Sequence, residues 1–301
     1  MDRKLQSEEV KRGRRKTLDE LLAIAKTRGN SDSVISKATA LAPVPLPQKK
    51  NYFVADILDA PIKGDMASME HPLFALKAGD MRVKPYERKG NGVTIKPGHG
   101  GCATIHDKDV WIYCTSQLVE AMNRGREVNK TVRFTAHDFL TAANRGTSGR
   151  AYERMADALD RLRNTGIETN IETACQRELH GFNLIETWRV VEKTTGGRMV
   201  AVEVTFSDWL FRSVTAKNVL TLSPDYFKIR KPINRRIYEL ARKHCGNQRQ
   251  WQCSIQTLKE KSGSTDALRN FRGVIKTVAE SNELPGYRLV LNTDLVTFIK
   301  K

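Results

Sequence analysis

One pattern recurs along this chain and limits its folds more than any other: helix, short turn, helix, then two alternating strands joined by a turn. The first instance begins at Thr135. Thr135-Ala136-His137-Asp138 has the spacing of a capping box, with Asp in place of Glu, ahead of Phe139, Leu140 and Ala143. That helix is predicted to stop at Asn144-Arg145-Gly146, residues suited to a left-handed C-terminal turn. A second helix over residues 150–163 places Tyr152, Met155, Leu159 and Leu162 on a single apolar stripe. Residues 167–171, 184–191 and 199–204 then alternate as strands, the last two joined by Thr195-Gly196-Gly197.

The second instance is shorter and more basic. Residues 229–244 read as a helix with Ile233, Ile237, Leu240 and Ala241 inward, and Pro232 in the first turn, where a missing N–H costs nothing. The next helix is predicted over 253–261, and Ser262-Gly263-Ser264-Thr265-Asp266 supplies turn and N-cap residues. A third helix over 267–280 turns Leu268, Phe271, Ile275 and Val278 inward. Arg269, Arg272 and Lys276 face outward, with Asn270 and Gly273 beside them. A Pro285-Gly286 turn and strands over 287–291 and 295–298 close the unit. This is the order of a winged helix. The expectation is an α+β chain of two tandem winged-helix domains, residues 65–221 and 222–301, behind a disordered basic arm at residues 1–50. The arm carries the cluster Lys11, Arg12, Arg14 and Arg15 and a Pro-rich spacer from Ala42 to Pro47. Upstream of Thr135, residues 71–110 favour strands and turns, and 111–123 a helix.

Charge then sorts the function classes. The chain has 51 Lys and Arg against 34 Asp and Glu, a net charge of +17. Residues 1–50 hold 12 basic and 6 acidic side chains, residues 221–301 hold 16 and 7, and the stretch between is nearly balanced at 23 and 21. Such an excess draws polyanions, and the helical patterns select nucleic acid over an anionic membrane. A helix fits the major groove, where guanidinium groups reach guanine O6 and N7 and Asn suits adenine. The second domain offers this on one face through Arg269, Asn270, Arg272 and Lys276, with phosphate contacts expected from Arg235, Arg236, Arg288 and the basic arm. In the first domain Arg150, Arg154 and Arg161 are interleaved with Glu153, Asp157 and Asp160, which repel phosphate. Sequence reading is therefore assigned mainly to the second domain. Pairing and auxiliary contact fall to the first.

Catalysis finds no foothold in these residues. No GxxxxGK[ST] or GxSxG occurs, and no two of the six histidines stand in the His-hydrophobe-His spacing that a nickase uses. His99, Cys102 and His106 lack the paired half of a zinc site and sit in a Gly-rich turn region. The expectation is a non-enzyme without catalytic residues, metal or cofactor. Five scattered cysteines fit reduced thiols in a cytoplasm, and neither a secretory signal nor an uncharged apolar run of membrane-spanning length is read.

From His71-Pro72-Leu73-Phe74 through Leu222-Ser223-Pro224-Asp225-Tyr226-Phe227 to Phe298, the chain resembles the plasmid replication initiator protein A family. The resemblance is carried by Phe134-Thr135-Ala136-His137-Asp138, by Leu159-Asp160-Arg161-Leu162-Arg163-Asn164-Thr165 and by the run from Arg235 to Arg242. It covers about three quarters of the chain and extends to iteron-binding initiators with tandem winged helices. The resemblance implies binding to repeated duplex origin sites, strand opening at an AT-rich element, and recruitment of a host helicase or its loader and the host initiator. It also implies a switch between a repressing dimer and an initiating monomer. The residues alone leave two other readings open: a transcriptional repressor of the same fold, and a single-stranded DNA binder, which needs exposed aromatic platforms.

Overall fold

The structure, a computed structural model, describes residues 51–88, 90–170, 180–193, 195 and 199–301; the expected arm with its basic cluster lies outside the described residues. The chain enters through β1 (Phe53–Val54) and β2 (Lys63–Asp65), and Asp65 caps the short α1 (Met66–Glu70) by accepting from the Ser68 N–H at 2.8 Å. A hairpin of β3 (Lys84–Arg88) and β4 (Asn91–Lys96) precedes α2 (Lys108–Asn123), which is buried around most of its circumference. Strand β5 (Thr131–Thr135) runs straight into α3 (Ala136–Ala142). Thr135 Oγ1 accepts from the Asp138 N–H at 3.1 Å, the capping expected from the sequence. Asn144, at φ 51°, turns the chain in the left-handed region toward α4 (Gly149–Asn164), on which Tyr152, Met155, Leu159 and Leu162 are all buried. Strands β6 (Gly166–Thr169), β7 (His180–Asn183), β8 (Ile185–Lys193) and β9 (Met199–Phe206) follow, then α5 (Asp208–Thr215) and β10 (Val219–Thr221).

After a 3₁₀ turn at Tyr226–Lys228, α6 (Pro232–Cys245) begins with Pro232 in its first turn. Next come β11 (Gln250–Ser254), α7 (Ile255–Ser262), α8 (Leu268–Ser281), β12 (Tyr287–Asn292) and β13 (Leu295–Lys300). The helix expected over 253–261 is thus a strand up to Ser254 and a helix from Ile255. The strand forms because residues 250–254 pair with β13, Trp251 opposite Phe298, and Ser254 then caps α7 by accepting from the Thr257 N–H at 3.1 Å.

Two stretches share one order. In α2, β5, α3, α4, β8, β9 and again in α6, β11, α7, α8, β12, β13, a helix and strand precede two helices and a closing hairpin. In each, the first strand pairs antiparallel with the last, and the middle strand flanks the last on its other side: β5-β9-β8 and β11-β13-β12. The first stretch adds β1 parallel to β5, and carries a second sheet, β3-β4-β6-β7. Residues 51–301 belong to one compact unit.

The two stretches share one hydrophobic core, and a seam of buried charge runs between them. Lys108 Nζ donates to Glu239 Oε1 at 2.8 Å, and both side chains are about 1% exposed. Glu239 also accepts from Tyr226 Oη at 2.7 Å and from Arg236 Nη1 at 3.2 Å. Burial works to raise the Glu239 carboxyl, but Lys108, Arg236 and Tyr226 outweigh it, so it stays ionised below its usual range. Arg235 pairs with Asp109 and donates through Nε to the Ile229 carbonyl at 2.6 Å. Arg236 donates to the carbonyls of Ser68, Met69, Glu70 and Lys261. The two arginines were expected at DNA phosphates, and here the structure corrects the sequence reading. Both are buried at 2–3% exposure, and reaching a phosphate would strip acceptors from buried guanidinium groups. They hold the fold together.

Candidate nucleic-acid interface

α8 lies on the second stretch's core through Phe271, Ile275 and Val278, each at most 4% exposed, against a floor that includes Tyr287, Leu289, Val296 and Phe298. Burying three such side chains stabilises the placement by about 1.5–3 kcal/mol each. The opposite side of the helix is solvent-facing and presents Arg269, Asn270, Gly273, Lys276 and Thr277. Lys276 stands 3.9 Å from Glu280, with side chains 72% and 65% exposed, a pair too hydrated to neutralise either charge. Arg288 is exposed on β12.

Arg272 behaves differently from its neighbours. Its guanidinium donates to the Thr293 carbonyl and to Asp294 Oδ1, both in the turn between β12 and β13. That turn is two residues long: Asn292 pairs with Leu295, and Thr293 takes φ 48° between them. Arg272 therefore braces the helix against the hairpin while its side chain remains 38% exposed. As a free base-reading arginine, the role expected from the sequence, it is already engaged by an acid.

The corresponding helix of the first stretch is built the same way and dressed otherwise. α4 exposes Arg150 and Arg154 as expected, but between and beyond them stand Glu153, Asp157 and Asp160. Asp160 accepts from Trp188 Nε1 of β8 at 3.1 Å, tying the acidic side to the hairpin. Arg161 was expected to contact DNA and does not face outward. Its guanidinium forms two hydrogen bonds of 2.8 Å with the buried Asp107, an attraction that raises the guanidinium above its ordinary range. Lys11, Arg12, Arg14 and Arg15 lie outside the described residues.

The sequence reading missed the seam. Its one signal was Lys108-Asp109 directly ahead of the apolar Val110-Trp111-Ile112, two charges placed where a core helix begins. Among the described residues no group of three or more His, Cys, Asp or Glu is placed to hold a metal ion, and no helix is long and apolar enough to cross a membrane.

With this geometry in hand, comparison with known proteins gives a consistent result. The family profile described as Replication initiator protein A matches residues 63–289. A relative from Wigglesworthia glossinidia brevipalpis, named a putative replication protein, is 40% identical over 258 residues, covering 84% of this chain and 94% of the relative. In three dimensions the chain is similar to crystal structures of domains 2 and 3 of RctB. One superposes with a TM-score of 0.53 at 12% identity, covering 78% of this chain and 97% of the other. A selenomethionine derivative superposes with a TM-score of 0.56 at 11% identity, covering 78% and 96%.

Proposed function

This chain belongs to the replication initiator protein A family, and from that premise we propose that it starts replication by gripping repeated duplex sites at an origin with two winged helices, bounded at about residue 222. The replication role follows from the family; the manner of binding is our reading of the surface. α8 enters the major groove, where Arg269 and Asn270 meet base edges and Lys276 and Arg288 neutralise phosphate. α4 serves pairing between copies or auxiliary contact through Arg150 and Arg154, because its carboxylates oppose close approach to phosphate. The protein acts without catalysis or cofactor in the bacterial cytoplasm, opens an AT-rich element, and hands the strands to a host helicase, its loader or the host initiator.

One observation carries this reading: the outward side of α8 is cationic and solvent-facing while its inward side is fixed in the core. Binding to single strands through stacked bases is disfavoured, because Phe134, Phe139 and Phe271 are each at most 2% exposed. The test compares full-length native chain and Arg269→Ala on duplex and single-stranded origin DNA at fixed salt. The expected result is tighter binding to duplex and a loss on the variant. A vector lacking its own origin, given this gene and its flanking DNA, is expected to replicate. Duplex binding without replication would instead identify a repressor.

A further inference from the structure

α8 contains a glycine where a helix gains nothing from one. Among the described residues, Gly273 is the one glycine within a helix other than Gly149, which opens α4. Nothing local requires it. Its φ is not positive, and a Cβ built on it would meet nothing within 4 Å beyond its chain neighbours and its own helix backbone. It takes no part in packing either, since it stands two residues from both Phe271 and Ile275, about 200° round the helix from each. An exposed glycine in a helix interior weakens that helix relative to alanine. The free protein would thus be more stable with a side chain here, and the bare backbone lies open to whatever approaches from outside.

What surrounds the glycine says what that is. Arg269 lies one turn before it, Asn270 and Lys276 flank it, and Thr277 lies one turn after, its hydroxyl donating to the Gly273 carbonyl at 3.2 Å. α4 has full side chains, Glu153 and Asp157, on its outward side and no interior glycine. Resting on the reading of α8 as the duplex-reading helix, we infer that Gly273 sets the depth at which α8 lies in the major groove. The missing side chain lets the helix backbone come close to the base edges, and that closeness brings Arg269 and Asn270 within reach of guanine and adenine. A larger residue lifts the whole helix, so specificity falls although no reading group has been touched.

The experiment uses the full chain and a duplex that the native protein selects from a randomised pool. Affinity for this duplex and for a scrambled one is measured by fluorescence anisotropy for native protein, Gly273→Ala, Gly273→Leu and Arg269→Ala, with a melting temperature for each. Gly273→Ala is expected to melt about 2–4 °C higher. It is also expected to bind the selected duplex about tenfold more weakly, and Gly273→Leu about a hundredfold, the range spanned by loss of one good base contact. Should leucine lower the melting temperature, the alanine variant decides, since its stability and affinity move in opposite directions. Native-like selectivity in both glycine variants, with weaker binding by Arg269→Ala, overturns the inference and leaves α8 as the reader. Native-like binding by Arg269→Ala as well removes the reading of α8 and the inference with it.

Discussion

α4 and α8 occupy the same place in the same order of elements, each packed by one apolar stripe under a closing hairpin, yet their outer sides differ in charge balance: mixed on α4, mainly cationic on α8. On α4, Glu153, Asp157 and Asp160 share the surface with Arg150, Arg154 and Arg163, and Arg161 is turned inward onto Asp107. On α8, Arg269 and Lys276 face out with Glu280 as the one acid in the helix. The core determines which stripe is buried and leaves the rest of the helix free to diverge. A duplicated frame therefore supplies two presentations, and only the outward residues decide which one a polyanion can meet.

Both helices are held in one compact body, and the most severe perturbation of it strikes the seam. Lys108→Ala leaves Glu239 buried without its closest cation, which is expected to cost about 3–5 kcal/mol in urea unfolding. A loss below about 1 kcal/mol, or two separate unfolding transitions, would break the picture of two frames sharing one ionic seam.

Next in size is a dependence on acid. His71 sits at the seam; burial chiefly, with Arg236, Lys261 and Lys243, lowers its imidazole from 6.5 to about 4 against the pull of Glu70. Between those values the unfolded chain binds a proton that the folded chain excludes, so stability falls as pH drops, by about 3 kcal/mol over the whole interval. His71→Gln is expected to flatten that part of the stability profile, while an unchanged slope would remove His71 from the account.

The sharpest contrast between the two helices comes from matched substitutions. Arg269→Ala is expected to lose about 1–3 kcal/mol of specific duplex binding, and Arg154→Ala less than about 1 kcal/mol. Equal losses in anisotropy titrations would erase the distinction between a reading and an auxiliary helix. The smallest effect is that of Asp294→Asn, which frees Arg272 from its exposed acid. Affinity changes by less than about 1 kcal/mol, while the salt dependence of duplex binding steepens by about one phosphate contact. A slope identical to that of the native chain would mean that Arg272 stays with the Thr293 carbonyl.

Much of this architecture was legible in the sequence, for a physical reason. The stripes on α4 and α8, the Thr135 cap and Pro232 in the first turn of α6 are local: each is specified by residues within three turns of one another. What stayed hidden is made by distant partners. Residues 250–254 become a strand because β13 lies alongside, and their two glutamines around one tryptophan give little sign of it. Arg235 and Arg236 look like a basic patch in one dimension. Residues 234–241 are buried all round, which only the docking of α6 against Asp109 and the carbonyls of α1 brings about. Of the candidate surface, Arg269, Asn270, Lys276 and Arg288 are exposed where the pattern placed them, whereas the occupancy of Arg272 depends on a turn twenty residues later.

The brevity of that turn has a bearing on footprint. A ribbon reversed by Thr293 and Asp294 alone is tied at its tip to the helix beside it, so hairpin and helix meet a ligand as one rigid edge. Under the proposal that α8 reads the duplex, one helix spans only a short run of base pairs, and a longer target would be met by further copies of the protein side by side.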